Sequence, residues 1–459
     1  MKRIIALLLV ALMLVLALAS CSNANNEGNN SDSDNAYYED ASDNGDSEDE
    51  ETQKKTDKKT DKNTDKTTEK ETDKTTTVKV KESSSGLKFE LNADKKSYTL
   101  VGKGTCTAKE LYVDGYKGLP VTVIGYNSMS SNSTITSITL GDNVEIIDDY
   151  AFSSCKSVTK ITLGANVRKI GECAFSNCTA MTSVDLGKKL ERVAYRAFYK
   201  ATKLSTIKIP DTVRIVEEEA FYETAYFNNS SNWKNKVLYI GNHLILAKSD
   251  ISGTYTVKDG TISIADMAIR GCKSLSGVVI PNSVKAIGSI SFANCDALNK
   301  ITIGNGVEYI GDRPFINTGY YKDTSKWENN ILYIGSYLVA VKTAVSGTVT
   351  VKSGTRSICD TAFINCKNIS SLVIPDSVKY IGAFAFYGCV KLSSITIGSG
   401  VTEIGSMAFK NCAALKSVDF KKPTGWTADG VAIDSELLGN KSSAYGQILL
   451  YAGKNWRRS

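Results

Sequence analysis

The sequence predicts a β-rich repeat solenoid of 23-residue units with short strands, loops and short helical turns, preceded by a disordered N-terminal stalk. Three observations support this prediction. An Ala-Phe pair recurs at a spacing of 23 residues, and apolar residues alternate with period two upstream of each pair. Two longer gaps of 48 residues carry matching sequences, which predict two β-hairpin insertions.

The N-terminus has the pattern of a secretory signal. Lys2 and Arg3 precede an apolar run over residues 4–18, and that run is shorter than the roughly 20 residues of a membrane span. The sequence Leu18-Ala19-Ser20-Cys21 resembles the lipobox of bacterial lipoproteins. The resemblance implies a lipoprotein signal peptide over residues 1–20 and lipid attachment at Cys21. The alternative is an ordinary cleavage site followed by an unmodified cysteine.

Residues 21–86 predict a disordered linker, acidic in its first part and rich in Thr, Asp and Lys in its second. Residues 22–50 contain no Lys or Arg, and residues 56–74 repeat Thr-Asp-Lys or Thr-Glu-Lys units. Such a composition buries too little apolar surface to offset the entropy of ordering the chain. We therefore expect a spacer. The alternative of metal binding by the acidic part lacks ligand spacing.

The repeated Ala-Phe pair, called the marker here, is often followed three residues later by a cysteine. Counting back one period from the first marker reaches Met129, which indicates an earlier, degenerate unit. We expect an N-terminal cap and first degenerate repeat over 87–128, an array over 129–420 and a C-terminal cap over 421–459. The last residue of the marker falls at Phe152, Phe175, Phe198, Phe221, Ile269, Phe292, Phe315, Phe363, Phe386 and Phe409.

Apolar residues at fixed offsets from the marker predict the buried faces. Residues fourteen and twelve before it are apolar, as in Ile138 and Leu140, which predicts a short strand with one buried face. The residue five before it is always Ile or Val, from Ile147 to Ile404. A unit this small cannot close a core alone, so stacked units must bury these residues in ladders.

At this point the chain resembles a known family. The stretches Ser394 to Gly398 (SITIG) and Val401 to Cys412 (VTEIGSMAFKNC) resemble the BspA-like class of leucine-rich repeats, and the resemblance covers roughly residues 87–425. It implies a leucine-rich-repeat solenoid on a bacterial surface protein. It also implies an association with adhesion to host matrix proteins or to other cells.

The insertions, near residues 224–250 and 318–344, match each other. Trp233 to Gly241 (WKNKVLYIG) aligns with Trp327 to Gly335 (WENNILYIG), 94 residues later. We expect each to form a hairpin turning at Gly241-Asn242 or Gly335-Ser336. Each hairpin either decorates its coil or presents aromatic residues to a ligand. The candidate ligand-binding residues are Tyr226, Trp233, Tyr320, Tyr321 and Trp327.

Seven cysteines share one position in the repeat, while other units place Ala201 or Thr224 there. This favours a small, half-polar buried slot filled by free thiols, with disulfides or metal binding as alternatives. The seven are Cys155, Cys178, Cys272, Cys295, Cys366, Cys389 and Cys412.

Composition narrows the function. The chain has a single histidine, His243, and no nucleophile elbow, P-loop, dinucleotide fingerprint or metal-ligand cluster. We therefore expect no enzyme, no catalytic residues, no cofactor and no metal. The charge of +6, without a cluster of basic and aromatic residues, excludes typical nucleic-acid binders.

Together with the absence of catalytic motifs, the family resemblance implies a monomeric adhesion or ligand-binding protein on the extracellular face of the bacterial cell. It would contact the membrane only through the N-terminal lipid. The expected partner is a host matrix protein or a protein on the surface of a neighbouring cell. One alternative is a glycan or cell-wall polysaccharide bound on the outward threonines of the strands, such as Thr139, Thr162 and Thr396. The other is a structural spacer without a specific ligand.

Overall fold

The computed structural model describes residues 80–459, which form a β-solenoid of about 14 turns with a spacing of about 23 residues. The predicted fold class is therefore confirmed. The signal peptide, Cys21 and the linker up to residue 79 lie outside the described residues. Within residues 80–459, no helix is both long enough and apolar enough to cross a bilayer.

The strands fall into three successive stacks along the chain. The first stack contains β1 Lys88–Leu91, β2 Tyr98–Gly102, β3 Glu110–Val113, β4 Gly115–Tyr116, β5 Leu119–Ile124, β6 Ser137–Leu140, β7 Ile146–Ile147, β8 Lys160–Thr162, β9 Lys169–Ile170, β10 Ser183–Asp185, β11 Arg192–Val193, β12 Thr206–Lys208 and β13 Ile215–Val216. The second stack contains β14 Trp233–Lys234, β15 Val237–Ile240, β16 His243–Ala247, β17 Gly253–Thr256, β18 Ser263–Ile264, β19 Leu275–Ile280, β20 Ala286–Ile287, β21 Lys300–Ile303 and β22 Tyr309–Ile310. The third stack contains β23 Trp327–Glu328, β24 Ile331–Ile334, β25 Tyr337–Val341, β26 Ser346–Thr350, β27 Ser357–Ile358, β28 Asn368–Ile374, β29 Tyr380–Ile381, β30 Ser394–Ile397, β31 Glu403–Ile404, β32 Ser417–Phe420, β33 Trp426–Ala428, β34 Val431–Ala432 and β35 Trp456–Arg458.

The helices of the described part are short. They are α1 Ala225–Asn228, α2 Gly319–Lys322, α3 Ser435–Gly439 and α4 Lys441–Leu450, with 3₁₀ turns at Ser230–Asn232 and Thr324–Lys326.

A regular coil contributes one strand to each of two parallel ladders. In the long-strand ladder, Ile138 pairs with Ile161, and the alternation of side chains buries Ile138 and Leu140 while Thr139 faces solvent. In the short-strand ladder, Ile147 pairs with Ile170, the residues five before their markers. The long-strand ladders have the orders β12-β10-β8-β6-β3, β17-β19-β21 and β26-β28-β30-β32. The short-strand ladders have the orders β1-β2-β5-β7-β9-β11-β13, β14-β15-β16-β18-β20-β22 and β23-β24-β25-β27-β29-β31-β35-β33-β34, with β4 paired to β5.

Two non-helical turns flank each marker, and both need a left-handed residue. Tyr150 (φ 59°) lies two residues before Phe152, and Ser154 (φ 58°) lies two residues after it. This backbone conformation is unfavourable for residues other than Gly, Asn and Asp. Here the next coil enforces it, because Tyr150, Phe152 and Ser154 all donate backbone hydrogen bonds of 2.7–2.8 Å to that coil.

The core consists of ladders of identical side chains. The rings of Phe152, Phe175, Phe198 and Phe221 stack with centroids 5.3–5.4 Å apart. The seven cysteines that share one repeat position are free and buried, in agreement with the predicted slot of buried thiols. The slot is half-polar because the thiol has an acceptor. Cys178 Sγ, for example, donates to the carbonyl of Phe152 in the preceding coil at 3.3 Å.

Both insertions form the predicted hairpins. β15 pairs antiparallel with β16 around Gly241-Asn242, and β24 pairs antiparallel with β25 around Gly335-Ser336. The hairpin strands β16 and β25 then pair parallel with the next coils, through β18 and β27. They therefore occupy the edge that the preceding coil would otherwise take, and the short-strand ladder is split into three sheets.

The fold begins earlier than the expected boundary at residue 87. Ser83 and Ser84 donate backbone hydrogen bonds of 2.9 Å to Gly115 and Tyr112, so the end of the predicted linker is part of the N-terminal cap. The reason is that β3 starts the long-strand ladder and would otherwise leave a free edge. At the other end, Trp426 and Trp456 pack against Phe420 beyond the last coil.

Candidate functional site

The aromatic residues predicted to bind a ligand occupy equivalent places in the two hairpins. The hydroxyl of Tyr226 donates to the carbonyl of Tyr239 at 3.0 Å, as Tyr320 does to Tyr333 at 3.3 Å. Trp233 Nε1 donates to the Phe227 carbonyl at 2.8 Å. In the second hairpin, Trp327 Nε1 donates to the Tyr321 carbonyl at 2.9 Å. The polar atoms of these side chains therefore hold the hairpins together.

The rings themselves are half-buried and have neighbours. The Lys248 ammonium lies 5.4 Å from the centroid of Trp233, and that of Lys342 lies 4.6 Å from the centroid of Trp327. Tyr321 packs edge-on against Trp327 at 5.1 Å. This geometry favours a structural role for the five residues, and ligand binding by them stays a prediction.

The sole histidine is enclosed by the first hairpin. His243 is fully buried, and its Nδ1 lies 2.8 Å from the hydroxyl oxygen of Ser263. Burial lowers the pKa of His243 to about 4, so the imidazole is neutral at neutral pH. Among residues 80–459, no three His, Cys, Asp or Glu side chains are grouped so that they could hold a metal ion.

A charged surface that the sequence analysis did not identify lies where the three stacks meet. Arg214 of the first stack forms ion pairs with Glu308 of the second stack at 3.1 Å and with Glu403 of the third at 3.5 Å. Arg457, in the last strand, lies 3.1 Å from Glu191, which precedes it by 266 residues. The solenoid therefore bends until distant short-strand ladders come into contact.

These ion pairs border a cleft of about 740 Å³, called the charged cleft here. Its acidic residues are Glu145, Glu191, Asp211, Glu308 and Glu403. Its basic residues are Arg168, Lys188, Lys189, Arg214, Lys285 and Arg457. The remaining lining residues are Asn166, Thr212 and Ile262, so no aromatic ring lines the cleft.

Four charged residues along one wall of the cleft recur in the sequence with the period of the repeat. Glu145, Arg168, Glu191 and Arg214 follow one another at 23 residues, directly before the strands of the short-strand ladder. Neighbouring members alternate in sign, and Arg168 pairs with Glu145 at 3.3 Å. Ile262, Lys285 and Glu308 of the second stack hold the same position at the same spacing. Which coils face each other cannot be read from this spacing, because it depends on how the solenoid bends at the two insertions.

The comparison of this repeat pattern with known families identifies the chain. The profile described as "BspA type Leucine rich repeat region (6 copies)" matches residues 122–252, 249–346 and 342–427, which together make up more than half of the chain. The protein belongs to the BspA-type leucine-rich-repeat family. The resemblance noted in the sequence is thereby confirmed. No curated protein matches the sequence of this BspA-type protein.

Among solved structures, the BspA-type protein is similar to a leucine-rich cell surface protein from Faecalibacterium prausnitzii. Sequence identity is 23%, 73% of this chain and 93% of that chain are covered, and the TM-score is 0.27. It is also similar to a leucine-rich repeat protein from Eubacterium ventriosum, with 19% identity, coverage of 76% and 96%, and a TM-score of 0.24. For the pneumococcal vaccine antigen PcpA, identity is 15%, coverage is 73% and 80%, and the TM-score is 0.27.

Proposed function

We propose that this BspA-type protein is an adhesion module that binds a protein ligand in the charged cleft. The observation that carries the proposal is the composition of the cleft, where five carboxylates and six cationic side chains line one concave surface. Mixed charges of this kind select a partner by the complementarity of its potential. A polypeptide carries both signs at side-chain spacing. For a polyanion, the six cations less the five carboxylates leave only one net positive charge, and a neutral polysaccharide would meet no aromatic platform.

The ion pairs that border the cleft are exposed to solvent. The side chains of Arg214, Glu308 and Arg457 retain 40–56% of their accessible surface. Exposed pairs contribute little to stability, typically about 0–1 kcal/mol each. A ligand can therefore exchange partners with them at small cost. Lys188 and Lys189 are lining residues outside these ion pairs, which makes them suitable for testing binding apart from the architecture.

The test is a binding screen of the full chain against arrayed matrix proteins and glycans, followed by titration of the hits. We expect a protein ligand, and we expect Lys188→Glu/Lys189→Glu to weaken its binding about tenfold or more, since charge reversal at an interface acts on steering and complementarity. The matched control is Lys156→Glu/Lys160→Glu, which reverses two exposed lysines outside the cleft.

The outcomes of the screen separately test the location of the site, the class of ligand and the adhesion function. Equal binding by the two double variants would overturn the assignment to the cleft. Binding to neutral glycans and to no protein would overturn the ligand class. Binding to neither would overturn the adhesion function and favour a structural spacer.

We also propose that the protein is displayed on the outer face of the cell through a lipid on Cys21. The support is the sequence ending in Leu18-Ala19-Ser20-Cys21 after an apolar run. Cys21→Ala should release the protein from the membrane fraction into the medium, with Cys106→Ala as the control that keeps it anchored. Retention of the Cys21 variant in the membrane would contradict lipid anchoring.

A further inference from the structure

The two insertions leave two weak points in the solenoid, called the first and second junctions here. At the first junction, the coil of Val216 meets the coil of Asp266, and the Asp266 backbone N–H donates to the Val216 carbonyl at 2.9 Å. At the second, the Asp360 N–H donates to the Ile310 carbonyl at 3.1 Å. The regular strand pairing is interrupted at both places, because β16 and β25 occupy the adjoining edges. Side chains therefore determine how firmly the stacks are joined.

The second junction is held by a network of side chains. The Asp360 carboxylate accepts hydrogen bonds from the hydroxyls of Tyr309 and Tyr380, both at 2.9 Å, and from the Ala383 N–H at 2.8 Å. Thr361 also donates to Asp312 across the junction. Because Tyr309 belongs to the second stack and Asp360 to the third, this network is a clamp between them.

The first junction has the same aspartate without the clamp. Asp266 precedes Asp360 by 94 residues, but Ile215 and Ala286 stand where the tyrosines stand in the second junction. The Asp266 carboxylate accepts a hydrogen bond from the Ser289 N–H at 2.7 Å. The charged and titratable groups facing Asp266 are Glu217 and Arg192 of the first stack, Tyr309 of the second and Asp360 of the third. Arg192 is already paired with Glu217.

We propose that the first junction is a proton-controlled hinge, which is tight when Asp266 carries a proton and loosens when Asp266 is ionised, while the second junction stays clamped. An ionised Asp266 places a third carboxylate beside Glu217 and Asp360, opposed by Arg192. Like charges at this distance repel, and low local solvation strengthens the repulsion. A protonated Asp266 removes it and keeps the Ser289 hydrogen bond.

The titration range supports this assignment. Burial raises the pKa of Asp266 to about 7, with the charges of Glu217 and Asp360 acting in the same direction, against the Ser289 hydrogen bond and Arg192. Burial also raises the pKa of Asp360, to about 6, and its hydrogen bonds with Ala383, Tyr380 and Tyr309 oppose the rise. A carboxyl whose pKa is higher in the folded state favours folding most at low pH. That contribution is lost as the pH rises from about 4 through 7.

The hinge lies beside the charged cleft. Arg214 is two residues before Val216, and Ile262 is four residues before Asp266, so both coils of the first junction line the cleft. Loosening this junction separates the wall contributed by the first stack from the wall contributed by the second. The width of the cleft would then follow pH between about 6 and 8, whatever ligand it takes.

The experiment is hydrogen–deuterium exchange of the full chain at pH 5.5 and 8.0, with rates corrected for intrinsic exchange. We expect the protection of peptides covering residues 213–221 and 262–270 to fall at least about threefold between the two pH values in the wild-type chain. Asp266→Asn, which mimics the protonated state, should keep the high protection at both pH values. Asp360→Asn should loosen the second junction. Because it also removes one of the charges facing Asp266, the first junction should still respond to pH, with its midpoint at lower pH.

A second variant separates titration from simple destabilisation. Glu217→Gln removes a neighbouring negative charge, so the midpoint of the protection change should shift to lower pH by about half a unit or more. Protection at the first junction that is independent of pH in the wild-type chain would overturn the hinge. An unchanged midpoint in Glu217→Gln, or a persistent pH dependence in Asp266→Asn, would do so as well. No ligand is used, so the result is independent of the proposed binding function.

Discussion

The two hairpin insertions have the same internal structure but are joined to the solenoid differently. Each contains a tryptophan that donates to a backbone carbonyl and a lysine over the tryptophan ring. In each, the hydroxyl of a tyrosine in the preceding short helix donates to a carbonyl of a hairpin strand. At the junctions, however, Tyr309 and Tyr380 bind Asp360, whereas Ile215 and Ala286 leave Asp266 without such donors. A repeated motif therefore predicts local structure, while the strength of its attachment depends on residues outside the motif.

The largest effect expected is the loss of a hairpin tryptophan, and it should be equal in the two hairpins. Trp233→Ala and Trp327→Ala each remove a half-buried ring and a hydrogen bond of 2.8–2.9 Å, so each should lower the free energy of unfolding by about 2–3 kcal/mol. Urea titration followed by circular dichroism measures this. Replacement by Phe should recover part of the loss. A difference between the alanine variants greater than about 1 kcal/mol would show that the hairpins are not equivalent.

A smaller effect should distinguish the junctions. Tyr309→Phe removes one hydroxyl from the clamp, and the loss of one hydrogen bond to a carboxylate should cost about 1–2 kcal/mol. The variant should also raise hydrogen exchange more at the second junction than at the first. The control is Tyr126→Phe, since this ring is 52% exposed and lies outside both junctions. If Tyr309→Phe were as stable as the control, Asp360 would not act as a clamp.

Much of the fold could be predicted because each repeat position has one physical environment. The alternation around Ile138 and Leu140 and the match between Trp233 and Trp327 specified the strands and the hairpins. The left-handed residues were harder to predict. Asn177 and Asn294 suit that conformation, but Tyr150 and Ile290 do not, and hydrogen bonds from neighbouring coils impose it on them.

The candidate site was largely missed, and the reason is geometric. The alternation of Glu145, Arg168, Glu191 and Arg214 can be read along the chain, but their partners Glu308, Glu403 and Arg457 belong to other stacks. Periodicity describes contacts one coil apart. It contains no information on the angle at which an insertion bends the solenoid, so contacts 94 to 266 residues apart were not predictable from it.

The buried cysteines of the ladder can be used to measure how often individual coils open. Burial raises the pKa of the Cys366 thiol to about 12. Because an exposed thiolate is the nucleophile that attacks thiol-directed reagents, a cysteine in a closed coil should be unreactive. Modification would then require that coil to open, and its rate would report the opening. Cys272 and Cys366 occupy equivalent positions, 94 residues apart, in the first coils after the two hairpins. The ratio of their labelling rates would therefore compare the opening of the coils next to the two junctions in the wild-type chain.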